Sequence, residues 1–156
     1  MPLLIDGHNL IPKVAGLSLQ APDDEMRLVR LLQRYCAHWN TRAEVYFDRA
    51  AAGQAGRRGF GAVTAVFVRT GRTADQAIAS RLRALGRQAA NWTVVSSDRE
   101  VQRAARWARA RVLSSEAFAQ ELHALMSQHP SEEKPASLSE SELEEWLKLF
   151  GESDAG

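Results

Sequence analysis

Five short apolar runs and a set of stretches with helical spacing divide the chain. Leu3-Leu4-Ile5 is apolar throughout and closes on Asp6-Gly7, as expected of a strand covered on both faces in a parallel sheet. Residues 43–48 (AEVYFD), 62–68 (AVTAVFV), 92–96 (WTVVS) and 110–113 read as four more strands. Between them Leu28, Leu32, Tyr35/Cys36 and Trp39 predict a helix starting at Asp23-Asp24-Glu25, where acidic charge suits a helix N-terminus. Thr73 and Gln76 form a capping box ahead of Ile78, Leu82 and Leu85; Ser97 and Glu100 form a second ahead of Val101, Ala105 and Ala108. Ser114-Ser115 opens a helix carrying Phe118, Leu122 and Leu125. Residues 10–22 read as a loop, and residues 49–61 (RAAAGQAGRRGFG) as a mobile basic loop rather than an element.

Alternating strands and helices predict an α/β three-layer sandwich around a central parallel sheet of about five strands. The expected division is a domain over residues 1–127, a polar linker with two prolines over 128–138, an acidic amphipathic helix over 139–150 and a disordered end over 151–156. In that tail, Ser139 and Glu142 make another capping box, and Leu143, Trp146, Leu147 and Phe150 share one face. Such a face needs burial, on this domain, on a partner protein or on a second copy; an acidic tail could also cover a basic surface.

Composition narrows the classes. One cysteine, Cys36, excludes an internal disulfide and a Cys-rich zinc site. No leader-like segment precedes Leu3 and no stretch reaches the roughly 20 apolar residues of a membrane span, so a cytoplasmic protein that does not enter a membrane is expected. The net charge of +1 conceals a division: residues 1–130 hold 18 Lys+Arg against 11 Asp+Glu, and residues 131–156 hold two against eight. All the basic residues of the body except Lys13 are Arg. Arg forks suit phosphate, which points to nucleic acid, although Arg in place of Lys is also what a GC-rich genome produces.

Four acids follow strand ends or helix starts: Asp6, Asp48, Asp75 and Asp98. In a parallel sheet all four come to the edge where ligands bind. Each alone could serve a turn or a helix N-terminus. Together they repel, and a divalent cation with oxygen ligands is the simplest compensation. Beside an Arg-rich surface this predicts metal-assisted phosphodiester chemistry. Arg57 and Arg58 in the Gly-rich segment, Arg69 and Arg72 before Asp75, and Arg99, Arg103 and Arg106 at helical spacing are the candidate RNA contacts. Trp92 and Trp107 could stack on bases, but Trp in such a domain is more commonly core.

LLIDGHNLI, VYFD, RTGRTADQAI, VVSSDREVQ and RVLSSEAF occur in that order over residues 3–122. This series resembles the YacP-like branch of the NYN domains, within the PIN-like ribonuclease superfamily. The resemblance implies a parallel sheet with helices on both faces and an endoribonuclease dependent on Mg²⁺ or Mn²⁺ that leaves a 5′-phosphate and a 3′-hydroxyl. It maps the catalytic and metal-site acids onto Asp6, Asp75 and Asp98, with Asp48 as a further member. Asn9 would hold a ligand or orient an acid. Two positions depart from the pattern: His8 stands where the branch has Tyr, and Gln76 where many PIN-like sites carry a second acid. The family position of His8 argues for a packing or stacking role rather than acid–base catalysis. Gln76 leaves open a non-catalytic RNA- or ribosome-binding module. A dehalogenase-type phosphatase would need an acid at position 8, and a structure-specific DNA nuclease shares the metal logic.

Overall fold

In the computed structural model, residues 1–17, 23–50 and 54–128 are described. The linker from residue 129, the tail helix over 139–150 and the end over 151–156 lie outside them.

β1 (Leu3–Asp6) is followed at once by a one-turn helix α1 (Gly7–Leu10) and a 3₁₀ turn at Ile11–Lys13. The sequence predicts a loop from residue 10, and the structure has these two turns there instead. Next come α2 (Asp24–Trp39), β2 (Ala43–Ala50), β3 (Gly56–Phe60), β4 (Val63–Arg69), α3 (Ala74–Leu85), β5 (Thr93–Val95), α4 (Arg99–Trp107), β6 (Arg111–Leu113) and α5 (Ser115–Gln128). The six strands lie in the order β3-β4-β2-β1-β5-β6. All neighbours pair in parallel except β3 with β4.

β3 corrects the expected loop over 49–61 and raises the strand count from about five to six. Its two glycines and two arginines hide any two-residue period, and Phe60 is its one buried residue. Backbone pairing to β4, from Gly56↔Phe67 to Phe60↔Val63, builds the strand instead. The two residues left between Phe60 and Val63 make a tight hairpin, with Gly61 at φ +66°, a conformation that glycine adopts without a Cβ penalty.

Alternation along the strands assigns the two faces. Leu3, Ile5, Ala43, Val45 and Phe47 pack with α2 and α5 through Leu28, Leu32, Phe118 and Leu122. Leu4, Tyr46 and Val94 pack with α3 and α4 through Ile78, Leu82, Val101 and Ala105. This is the expected three-layer sandwich, with one core on each side of the sheet. By the same two-residue period Asp6 shares a face with Leu4, and Asp48 with Tyr46. Both acids therefore point toward the layer that begins at α3 and α4.

Trp92 is buried, 3% exposed, with the guanidinium carbons of Arg42 and Arg81 at 5.4 and 5.5 Å from its ring centroid. Arg81 also grips buried Glu44 with both ends of its fork, Nε to Oε1 at 3.0 Å and Nη2 to Oε2 at 2.9 Å. Tyr46 donates to the same carboxylate at 2.9 Å. Trp107 is the opposite case: it is 91% exposed, against the expectation that it belongs to the core. It sits on the solvent side of α4, whose inner face is already filled by Val101 and Ala105.

Candidate active site

β1 lies between β2 and β5: the chain crosses from β1 to β2 on one side and returns later to β5 on the other. Ligand crevices in open α/β sheets form beyond the carboxyl ends of the strands at such a point. Asp6 ends β1 there and is 5% exposed. Its carboxyl pKa is pushed up to about 6, first by burial and then by the charges of Asp75 and Asp48. The Ser96 hydroxyl, which donates to Asp6 Oδ2 at 3.2 Å, and the Asn9 amide oppose the rise. Asp75, in the first turn of α3, is also raised, by partial burial and by Asp98 and Asp48. Asp6, Asp48, Asp75 and Asp98 therefore share one edge and one field, as their positions in the sequence predict.

The motif after β1 supports that edge mechanically. A Cβ on Gly7 would stand 2.5 Å from the Phe47 ring and 2.8 Å from the Tyr46 carbonyl, so only glycine lets β1 and β2 close up beside Asp6. Asn9 Oδ1 accepts from the Ser97 amide at 2.8 Å and from the Ser115 hydroxyl at 2.6 Å. It thereby ties the β5–α4 turn, which carries Asp98, to the start of α5. Ser97 does not cap α4 as expected. Its hydroxyl is taken by Glu116 and by the Ser115 amide, and Asp98 becomes the cap, its Oδ1 accepting from Glu100 N at 2.8 Å and Val101 N at 3.3 Å. A carboxylate competes well for two free helix amides. Thr73 and Gln76 cap α3 reciprocally, as expected.

His8 has both ring nitrogens engaged. Nδ1 accepts from the Asp48 amide at 3.3 Å, which assigns the proton to Nε2, and Nε2 donates to Glu25 at 2.6 Å. Its ring packs on Phe47 with centroids 5.5 Å apart. It therefore holds β2's end and α2's start together. The role of Glu25 had no signal in the sequence beyond its place at a helix start.

The predicted basic residues separate. Arg69 is exposed at the end of β4. Arg72 folds back along α3 to Ser80 Oγ at 2.5 Å and the Gln76 carbonyl at 3.4 Å. Arg57 reaches Glu44 at 3.5 Å, joining the structural cluster around Arg81, and Arg58 pairs opposite Ala65 on the edge hairpin. Arg99, Arg103 and Arg106 are exposed along α4, with Arg103 3.3 Å from Glu100.

Among the described residues, no salt bridge reaches Asp6, Asp48, Asp75 or Asp98. Hard oxygen donors on a like-charged edge suit Mg²⁺ or Mn²⁺ chemically. The rotamers do not close a cage: among the described residues no three Asp, Glu, His or Cys side chains converge closely enough to hold an ion. One reason is local, since Asp98 Oδ1 caps α4 and Asp48 Oδ1 accepts from the Ala74 amide. Mg²⁺ commonly takes only one or two carboxylates and completes its shell with water and substrate phosphate, so the donor set fits such an ion.

The family model of the YacP-like NYN domain matches residues 3–149. The chain belongs to that family. Two crystal structures of Rae1 (YacP) from Bacillus subtilis are similar to this NYN domain at 25% identity. One, of a point mutant, has a TM-score of 0.69 and covers 99% of this chain and 98% of its own. The other has a TM-score of 0.67 and covers 100% and 95%. No curated protein matches the chain significantly by sequence. The fold is thus the nuclease-like α/β fold of the family, and the family match runs past the described residues into the tail. No helix among the described residues is long and apolar enough to cross a membrane.

Proposed function

We propose that this NYN domain is a metal-dependent endoribonuclease of the cytoplasm that cuts single-stranded RNA, leaving a 5′-phosphate and a 3′-hydroxyl. The observation that carries the reading is Asp6: a nearly buried carboxyl that faces two other carboxylates and forms no salt bridge among the described residues. Asp6, Asp75 and Asp98, with Asp48 as a further donor, would hold Mg²⁺ or Mn²⁺. When bound, such an ion supplies a water acidic enough to attack near neutral pH and offsets charge on the scissile phosphate.

The chain's own residues do the positioning. Asn9 holds the turn that presents Asp98, and His8 holds the amide of Asp48. Arg69 and Arg72 flank the start of α3, and Arg99 and Arg103 continue along α4, where they would receive the phosphates on either side of the cut. Arg58 on the edge hairpin would extend that contact; Arg57 beside it is held 3.5 Å from Glu44. Hydrolysis by water does not use the 2′-hydroxyl, so preference for RNA rests on recognition.

Purified protein should cut labelled single-stranded RNA with Mn²⁺ and stop in EDTA, and Asp6→Asn should abolish cutting while the protein stays folded. Cutting by Asp6→Asn at the native rate refutes the assignment. Two observations favour a second reading, an RNA- or ribosome-binding module without catalysis: among the described residues no three donors converge, and Gln76 is neutral. Calorimetry separates the two, because such a module takes up no Mn²⁺ at this edge.

A further inference from the structure

We infer that Trp107 and the arginines around it form a base-stacking platform that takes the RNA strand as it leaves the acid edge. The inference rests on the nuclease reading and adds the path of the substrate. The indole is 91% exposed on a helix that meets the core through Val101 and Ala105. An aromatic of this size left in water has given up a large burial term that most Trp residues gain.

Its surroundings are specific. Arg99, Arg103 and Trp107 recur every four residues and form one stripe on α4, with Arg106 beside it. Trp107 borders two hollows. One, of about 490 Å³, is lined by Arg99, Gln102, Arg103 and Arg106. The other, of about 510 Å³, lies between α3 and α4, with Leu82, Ala104 and Ala108 as floor and Arg83 and Arg103 at the rim. Apolar, flat surface beside cationic forks is what a base and its phosphate require together. Among the described residues, Glu100 is the one acid lining either hollow.

The placement is also continuous with the acid edge. Asp98 caps α4 and Trp107 is its last residue, nine positions on. At 1.5 Å per residue the indole's backbone lies about 13 Å along the helix from the cap. A stacked strand advances 3.4 Å per nucleotide, so about four nucleotides bridge the gap. A single strand held at Asp98 would reach Trp107 with the fourth base or an earlier one if extended.

The test uses the full chain and 12-nucleotide oligouridylate in EDTA, so that binding is read without cutting. Trp107→Ala should weaken binding roughly 5- to 150-fold, the range for loss of one stacked base. Trp107→Phe should retain most of the affinity while losing the quench of Trp107 fluorescence expected on binding. With Mn²⁺, Trp107→Ala should raise KM for the 12-mer. Because the side chain is exposed, both variants should melt as the native protein does. Unchanged affinity in Trp107→Ala with cutting intact overturns the platform and leaves the nuclease reading standing. Absence of both binding and cutting in the native protein overturns both. A dimer or protein complex dissociated by Trp107→Ala, with RNA affinity unchanged, makes this surface a protein contact and overturns the platform.

Discussion

Replacing Asp6 with Asn should make the protein more stable while it loses activity, and the size of the gain follows from the carboxyl's surroundings. An ordinary value of 3.8 pushed up to about 6 by burial and by Asp75 and Asp48 means that the folded state holds the ionised form poorly. At about 1.4 kcal/mol for each tenfold change, the ionised carboxylate costs about 3 kcal/mol at pH 8. The unfolded chain releases its proton near pH 3.8 and the folded chain only near 6. Stability therefore falls as pH rises through that window. The cost is about 0.5 kcal/mol at pH 4, about 1.5 at pH 5, and level above about pH 7. Asn keeps an oxygen to accept from Ser96 and the Asn9 amide, and its NH₂ would face Asp48 and Asp75 as a donor.

In EDTA at pH 8, Asp6→Asn should melt roughly 6–12 °C above the native protein, and the gap should nearly close by pH 4. Adding Mn²⁺ should raise the melting temperature of the native protein and leave the variant's unchanged, since only the native edge gains by binding. Differential scanning calorimetry at the two pH values measures this. A variant that melts below the native protein at pH 8 in EDTA, or a gap that does not shrink toward pH 4, would show that ionised Asp6 is a stabilising hydrogen-bond acceptor and not a strained charge.

Three other substitutions probe how the site is held. Gly7→Ala pushes against the Phe47 ring and the Tyr46 carbonyl and should cost about 1–3 kcal/mol by denaturant unfolding, with a drop in cutting because Asp6 precedes the displaced residue and Asn9 follows two positions on. Arg81→Ala leaves Glu44 buried with only Arg57 and Tyr46 as partners; a loss of about 2–4 kcal/mol is expected, with cutting at low temperature unchanged because the cluster is outside the acid edge. His8→Tyr should preserve the packing on Phe47 and leave the shape of the pH–rate profile unaltered; disappearance of one limb would instead make His8 a proton-transfer group.

Much of this was legible in the order of residues. Strands buried on both faces are apolar throughout, so Leu3-Leu4-Ile5 and the Val-rich runs could be placed without contacts. Parallel strands end at one edge, so Asp6, Asp48, Asp75 and Asp98 could be grouped from their positions after strands and at helix starts. The capping box at Thr73 and Gln76 is a local interaction and formed as read. Where local signals competed, the outcome differed. Ser97 and Asp98 both offer a cap, and Asp98 took it because Ser97 is drawn to Glu116 and Ser115, which are distant in sequence. β3 carries almost no apolar pattern because an edge strand is held by a backbone ladder that any residues can make.

The sequence by itself determined the α/β class, the positions of the acids at strand ends and helix starts, and the capping box at Thr73 and Gln76. Tertiary structure decided which atoms remain available there. It engages Asn9 with Ser97 and Ser115, assigns the two nitrogens of His8 to Asp48 and Glu25, and draws Arg57 into the Glu44 cluster. It also leaves Trp107 in solvent where composition would bury it. The reason is one of range. Periodicity and capping depend on neighbours within a few residues, whereas burial, tautomer and charge pairing depend on groups that only folding brings within a few ångströms.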